Sequence, residues 1–279
     1  MAYTTIPKSS AYFNTKLYTG NVSTNAITGV GFQPDITWLK ERDGTQDHYL
    51  YDAVRGVQNY LTPNLTTQEQ ANVTSLTAFN SDGFTLGSNN ATNANNGLFA
   101  SWNWKANGSG ATNTAGSINT TYTSANTTSG CSIITYTGNA TAGATIGHGM
   151  GIKPSMIIIK ELNGGNDWIV YTQALTANKI LYLNSTGAEN DNSVFFNDTE
   201  PTDSLITLGS ISATNGSGAM IAYCFSDVQG YSKQGSYIGN GNANGTFNYT
   251  GFKPAFVLTK NSSSGGSNWR IFDNQRLGY

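Results

Sequence analysis

The chain has 279 residues, more than one domain usually holds, and its 11% of charged residues is well below the roughly 25% of ordinary soluble domains. A net charge of −2 without a cluster of basic residues argues against a nucleic-acid partner. No apolar run reaches the roughly 20 residues of a membrane span, and the first residues lack the pattern of a signal peptide, which argues against membrane insertion and secretion.

Residues 1–12 contain Pro7 and predict an extended N-terminal arm of the kind that attaches a module to a neighbour. Short runs of β-branched and aromatic residues follow, bounded by Gly, Asn, Ser and Pro, and such runs are typical of strands. The first examples are Tyr18-Thr-Gly-Asn21 and the stretch from Gly31 to Lys40 around Pro34. Residues 66–71 form the best helix candidate, which is at most a short polar turn.

The same motifs return twice further along the chain. Tyr136-Thr-Gly-Asn139 and Tyr237-Ile-Gly-Asn240 repeat the first motif, and Pro154 and Pro254 stand about 120 and 100 residues after their predecessors. A period of this size is that of a domain. We therefore divide the chain into an arm and three copies of one module: residues 1–12, copy one (13–105), a linker (106–130), copy two (131–228) and a partial copy three (229–279).

The three copies differ in completeness. A second stretch with an aromatic residue occurs in all of them, at His48-Tyr-Leu-Tyr-Asp52, Trp168-Ile-Val-Tyr171 and Trp269-Arg-Ile-Phe-Asp273. Two later stretches occur only in copies one and two. Half a sandwich is too small to close a core alone, so we expect copy three to be completed by a continuation past Tyr279, in preference to a neighbouring chain.

The polar linker is rich in Asn, Gly, Ser and Thr, although residues 117–123 have the composition of an edge strand. Met156-Ile-Ile-Ile159 is apolar throughout and predicts a strand that is buried on both faces. The sequence therefore predicts an all-β fold of tandem antiparallel β-sandwiches.

Catalytic or metal-binding motifs are not evident, and we predict neither an enzyme nor a cofactor or metal site. His148 lies in a glycine-rich turn without the lysine and helix of a phosphate loop, and His48 has tryptophans at the equivalent positions of the other copies. The acidic clusters Glu189/Asp191 and Asp198/Glu200/Asp203 lie in turns, where Asp is common for conformational reasons; a weak Ca²⁺ site is the alternative. Cys131 and Cys224 are too few for a disulfide scaffold and predict free thiols.

The tryptophans leave two interpretations open. Exposed aromatic rings beside Asn and Asp are typical of a carbohydrate-binding face. Because Trp168 and Trp269 hold equivalent positions, we favour the interpretation that Trp38, Trp102, Trp168 and Trp269 fill sandwich cores.

From residue 13 onward the chain resembles modules of bacteriophage virion proteins, in particular the tail-fibre and particle-surface proteins of marine phages. The resemblance is carried by Gly31-Phe-Gln-Pro-Asp35, Tyr49-Leu-Tyr-Asp-Ala-Val-Arg-Gly56, Asn80-Ser-Asp-Gly-Phe-Thr-Leu-Gly87 and Trp102-Asn-Trp-Lys105. It implies jelly-roll, concanavalin-like sandwiches displayed on a virion that is assembled in the host cytoplasm, and it brings no catalytic residues.

We therefore expect a structural component of a phage virion, a tail fibre or particle-surface protein that mediates assembly and host attachment. Its expected partners are other virion proteins and further copies of itself, since such proteins are usually symmetric oligomers and fibres are often trimers. A module that binds host surface glycans and a capsid decoration protein are the alternatives.

Overall fold

The computed structural model describes residues 3–276, and in them the prediction of an all-β protein built from antiparallel sandwiches is confirmed. The elements of copy one are β1 (Phe13–Thr19), β2 (Asn25–Thr28), β3 (Ile36–Glu41), β4 (Tyr49–Asp52), β5 (Asn59–Tyr60), β6 (Gln70–Ala71), β7 (Leu76–Asn80), β8 (Gly83–Leu86), the short helix α1 (Asn90–Asn93) and β9 (Leu98–Trp104). Residues 66–69 are not helical, and the short strand β6 takes up the rest of the expected polar turn.

Copy two repeats this order after one additional strand, but without a counterpart of β7. Its elements are β10 (Tyr122–Asn126), β11 (Cys131–Thr137), β12 (Thr145–Gly147), β13 (Met156–Glu161), β14 (Ile169–Thr172), β15 (Lys179–Tyr182), β16 (Asn190–Asp191), β17 (Leu205–Thr207), the helix α2 (Ser212–Asn215) and β18 (Ala219–Phe225). Copy three contributes β19 (Phe256–Thr259) and β20 (Arg270–Asp273), which match β3 and β4 of copy one.

Each complete copy packs a large sheet against a small one. The large sheet of copy one has the strand order β1-β9-β3-β4, and that of copy two has the order β10-β11-β18-β13-β14-β15-β16. The small sheets are β2-β8-β7 and β12-β17. The last long strand returns to the middle of the large sheet in both copies: β9 lies between β1 and β3, and β18 lies between β11 and β13. This connection joins residues far apart in sequence, and only a complete copy can make it.

The apolar residues on the inner faces form a separate core in each complete sandwich. The core of copy one contains Ile27, Leu39, Tyr51, Leu76, Phe84 and Leu86. The core of copy two is larger and includes Ile134, Tyr136, Ile146, Ile157, Ile159, Tyr171, Phe195, Phe196 and Ile206.

A third core lies between the copies and is formed by the outer faces of the large sheets; we call it the shared core. Buried residues from copies one and two form most of it: Ile36, Trp38, Trp102, Ile133, Ile158, Trp168, Val170, Ile221 and Tyr223. The partly buried Phe256, Trp269 and Ile271 of copy three pack against them. The prediction that 156–159 is buried on both faces is confirmed for its central residues, because Ile157 and Ile159 enter the core of copy two while Ile158 enters the shared core. Side chains alternate across a strand, so a strand with two buried faces is apolar throughout.

The segment 106–130 is part of the fold of copy two. The strand β10 at its end pairs along β11 from Tyr122↔Thr135 to Asn126↔Cys131, and Ile118 forms a bridge with Ile146. Its small polar side chains suit an edge strand as well as a flexible linker, and composition alone does not separate the two.

The N-terminal arm also packs on the chain itself. Ile6 is buried, and the Tyr3 hydroxyl donates to the carbonyl of Gly251 at 2.8 Å in copy three. In the single chain, the arm therefore joins the beginning of the molecule to copy three.

Candidate functional site

A buried polar corner joins copies one and two at the end of β4. The Asp52 carboxylate accepts hydrogen bonds from the backbone N–H groups of Val54 and Arg55, which is the usual way in which Asp caps a turn. Arg55 Nε donates to the same carboxylate at 2.6 Å, and the Tyr223 hydroxyl reaches it from β18 of copy two at 2.7 Å. A turn motif of copy one thus provides the acceptor for an aromatic residue of copy two.

The corner is charged and almost wholly removed from water. The Arg55 and Asp52 side chains are 3% and 0% exposed. Burial lowers the pKa of the Arg55 guanidinium, but the charge of Asp52 and the neighbouring Tyr223 raise it above its ordinary value. Burial holds the pKa of Tyr223 well above its ordinary value, so the phenol remains a hydrogen-bond donor. Every polar group here has a partner, which favours a structural role over acid–base chemistry.

Copy three builds the same corner at its junction with copy one. Asp273 accepts from the backbone of Gln275 and Arg276, and Arg276 Nε donates to its Oδ2 at 2.5 Å. The group from the next copy is the indole of Trp102, which donates to Asp273 Oδ2 at 3.0 Å. Trp102 on β9 holds the same place as Tyr223 on β18. The Arg276 side chain is 27% exposed and stacks over the Trp102 ring at 5.1 Å.

A second contact repeats across the junctions. The Trp168 indole of copy two donates to the carbonyls of Thr62 and Leu65 in copy one at 3.2 and 3.1 Å. The Trp269 indole of copy three donates to the carbonyl of Tyr182 in copy two at 2.8 Å. Thr62 and Tyr182 are equivalent, since each lies two residues before an asparagine (Asn64 or Asn184) whose Oδ1 accepts from the residue before β4 or β14.

These two sets of contacts define a cyclic arrangement around the shared core. Copy two places an aromatic residue in the corner of copy one, and copy one places one in the corner of copy three. The third junction, at which copy three would contact the corner of copy two, needs the second half of copy three. The corresponding corner of copy two carries Thr172 and Leu175 instead of Asp and Arg.

A groove with a volume of about 880 Å³ opens between copies one and three, beside the end of β15 in copy two. Its lining includes Trp38, His48, Leu183, Leu258, Trp269 and Arg276. His48 occupies the position that Trp168 and Trp269 hold in the other copies. Trp168 is covered by the segment of copy one that contains Thr62, whereas the equivalent space over His48 is the groove.

His48 is held in its neutral form. The Trp38 indole donates to His48 Nδ1 at 2.9 Å, so this nitrogen is an acceptor. Burial lowers the pKa of His48 to about 4, and the charge of Lys40 acts in the same direction. No carboxylate contacts the imidazole within hydrogen-bond distance in the described residues, so the Asp47 and Asp52 neighbours in sequence do not form a dyad with it.

Copy three exposes a face that copies one and two bury. Phe272 is 49% exposed, whereas the equivalent Tyr51 and Tyr171 are fully buried. The segment before β19 is also open to solvent, with Tyr237 at 58% and Phe247 at 85% exposure. This apolar surface is the inner face of a sandwich that has no small sheet among the described residues.

The remaining sequence candidates have structural partners. His148 is buried: Met150 N–H donates to its Nδ1 and its Nε2 lies 3.2 Å from the carbonyl of Thr202, which fixes the neutral tautomer with the proton on Nε2. Burial lowers its pKa. His148 lies in the loop after β12, as we expected, and is buried there.

The acidic clusters are spread over ordinary ion pairs and turns. Glu189 pairs with Lys179 at 2.5 Å, and Glu200 pairs with Lys153 at 2.9 Å. Asp191 accepts from Asn178, Asp203 from the backbone of Lys153, and Asp198 is exposed in a turn. In the part of the chain that is described, no group of three or more His, Cys, Asp and Glu side chains is placed to hold a metal ion.

The two cysteines are free and buried, Cys131 at the edge of the shared core and Cys224 inside copy two. Burial raises the pKa of both thiols, which keeps them protonated and unreactive.

The tryptophans lie in a core, but a different one from the sandwich cores that we expected. Trp38, Trp102 and Trp168 are buried in the shared core, and Trp269 is partly buried against it. The sequence alone did not distinguish an inner-face from an outer-face aromatic residue, because both are apolar positions of the same strands.

The residues that join the copies were not singled out from the sequence. The signal was present in the repeated pair of an Asp and an Arg three residues later, Asp52/Arg55 and Asp273/Arg276, in which the Asp ends the strand formed by the aromatic stretch. Helices in the described part of the chain lack the length and apolar character of a membrane span.

These features define a repeat protein of all-β modules that share one core. Residues 8–279 match the family model described as "Domain of unknown function (DUF7483)", and the chain belongs to this family. No curated protein matches the chain, and no solved structure matches it.

Proposed function

We propose that the chain is a structural protein of a bacteriophage virion, a tail-fibre or particle-surface component whose modules mediate assembly and host attachment. The observation that supports this most is the way in which the chain uses its polar and aromatic residues. The Asp–Arg corners and the indole contacts all join one copy to the next, and none is left free for chemistry on a substrate.

The surface also suits a particle protein. A low content of charged residues makes its interactions insensitive to salt, and sandwiches protect their strand edges from unspecific pairing. The resemblance of the strand motifs to virion modules supports the same assignment.

A carbohydrate-binding module is the second candidate, and the groove favours it, because the partly buried Trp269 lines it beside the amide of Asn184. Against it, Trp102 and Trp168 are enclosed in the shared core and cannot stack on a sugar. Selective retention of one sugar class on a glycan array, lost in Trp269→Ala, would favour this candidate.

The test of the proposal is the composition of purified particles. Mass spectrometry of virions from a phage that encodes this chain is expected to detect its peptides at a stoichiometry of structural proteins. Labelling with an antibody to the chain should then mark one site on the particle. Absence of the chain from purified particles, with presence in the infected-cell lysate, would refute the proposal.

A further inference from the structure

Copy three keeps the features that dock a second half of the module although this half is absent from the described structure. In the motif Tyr-x-Gly-Asn, the glycine allows a close approach of two backbones. A Cβ at Gly20 would lie 2.1 Å from the carbonyl oxygen of Ala94, and one at Gly138 would lie 2.0 Å from that of Gly216. The same addition at Gly239 of copy three would meet nothing within 4 Å.

The tyrosine of this motif also has a partner in copies one and two and is exposed in copy three. The Tyr18 hydroxyl donates to the carbonyl of Thr92 at 2.8 Å, and that of Tyr136 donates to the carbonyl of Thr214 at 2.6 Å. Both acceptors belong to the short helix before the last strand of the module. The equivalent Tyr237 is 58% exposed. Copy three thus carries the tyrosine and the glycine of a docking motif without their counterpart.

The edge of β19 is open on the side where the last strand lies in the complete copies. There, β9 pairs with both β1 and β3, and β18 pairs with both β11 and β13. Within the described residues, β19 pairs with β20 alone. Val257 on this strand is 37% exposed, although the equivalent Thr37 and Ile157 are fully buried.

The groove is the remaining part of the same gap. Just after β5, and at the end of β15, the chain passes over the tryptophan of the next copy, and the carbonyls of Thr62 and Tyr182 accept from that indole. The corresponding segment of copy three would pass over His48, which lines the groove.

We propose that the open edge of β19, the exposed inner face of copy three and the groove together bind one segment, a half-module of the kind that residues 59–104 and 179–228 supply in the complete copies. In copies one and two the equivalent site holds residues 59–104 and 179–228, and their last strand, β9 or β18, pairs with the strand that corresponds to β19, which defines the chemistry of the occupant. The cyclic contacts also require one such strand to close the ring around the shared core.

The structure also specifies the chemistry of the strand that completes the ring. Its residue at the place of Trp102 and Tyr223 faces the corner of copy two, where Thr172 and Leu175 replace the Asp and Arg of the other corners. We therefore expect an apolar side chain there rather than a hydrogen-bond donor. This inference does not depend on the assignment to a virion.

A fusion tests the proposal with sequence that the chain itself provides. Residues 179–228, the second half of copy two, are appended after Tyr279 of the full chain. The matched control carries serine at the positions of Ile221, Tyr223 and Phe225 in the appended segment only, which removes the face that would enter the shared core.

In the fusion, hydrogen exchange of peptides that cover β19 is expected to slow by roughly tenfold or more relative to the 279-residue chain, and binding of a hydrophobic dye is expected to fall. The control should behave like the unfused chain. A second fusion carries residues 59–104 of copy one instead, so that the test does not depend on the folding of a single appended segment.

Unchanged exchange of β19 in both fusions, with the rest of the chain folded by circular dichroism, would overturn the proposal. A dimer of the 279-residue chain that covers β19 and persists in the fusions would also overturn it, because the site would then bind a second copy.

Discussion

The corner at Asp52 and the corner at Asp273 have the same residues and the same internal hydrogen bonds, but they differ in their surroundings. The first is covered by the complete sandwich of copy two, and its arginine is 3% exposed. The second belongs to a copy with one hairpin, and its arginine is 27% exposed. The geometry of the corner is therefore encoded locally, by an Asp at the end of a strand and an Arg three residues later, whereas the burial of its arginine depends on how complete the copy is to which the corner belongs. The energetic weight of equivalent residues should follow that burial.

The largest difference in the loss of unfolding free energy is expected between the variants Asp52→Ala and Asp273→Ala. The first removes the main counter-charge of a buried guanidinium and the acceptor of Tyr223, and should lower the free energy of unfolding by about 3–5 kcal/mol. The second leaves an arginine that water can reach but also removes the acceptor of the buried Trp102 indole, so its cost should be smaller, roughly 1–2 kcal/mol. Urea unfolding followed by circular dichroism measures both, and equal losses would contradict the comparison.

The glycines of the docking motif should differ almost as much. Gly20→Ala and Gly138→Ala place a methyl group against a backbone carbonyl and should each cost roughly 2–3 kcal/mol, because a packed backbone cannot move away freely. Gly239→Ala meets open space in the 279-residue chain and should change stability by less than about 0.5 kcal/mol. Thermal unfolding of the three variants is the measurement, and a large loss in Gly239→Ala would show that this loop is already packed.

The indoles at the junctions give a smaller contrast. Trp168→Phe removes a buried donor from two carbonyl acceptors and should lower stability by about 2 kcal/mol, while Trp269→Phe at the partly open junction should cost less than about 1 kcal/mol. Chemical denaturation of both variants checks this. A larger loss in Trp269→Phe would reverse the order that burial predicts.

The open junction should also respond to acid. The folded-state pKa of His48, about 4, lies below the ordinary value of 6.5, so the unfolded chain takes up its proton first. The contribution of His48 to stability is therefore complete above pH 6.5 and is lost as the pH falls from 6.5 towards 4. At pH 5 the loss should be roughly 1–2 kcal/mol. His48→Gln should flatten the stability profile over this range, and an unchanged slope would show that His48 is not buried in its neutral form.

Much of the fold follows from local sequence patterns. The Pro-led strands and the repeated Tyr-x-Gly-Asn motif gave the number of copies and the all-β class, since strand periodicity and turn residues act over short distances. The apolar run 156–159 also indicated two buried faces, and the structure identifies them as the core of copy two and the shared core.

The arrangement of the copies did not follow from these patterns. Trp38 on an outer face and Leu39 on an inner face are equally apolar, and no local signal states whether the partner of a face is a small sheet or another copy. The edge strand β10 was located only in part, since residues 117–123 were considered as an edge strand and the strand covers Tyr122–Asn126; Thr, Ser and Asn suit both a linker and a solvent-exposed strand. Pairs such as Asp52 and Tyr223, 171 residues apart, depend on tertiary packing alone.

Hydrogen exchange of the three equivalent hairpins, β3–β4, β13–β14 and β19–β20, tests the central claim most directly. The account predicts slow exchange in the first two, which are enclosed between two cores, and faster exchange by at least about tenfold in the third, which has one open edge and one open face. Equal protection of all three hairpins in the 279-residue chain would contradict a shared core that is closed by two copies and left open by the third.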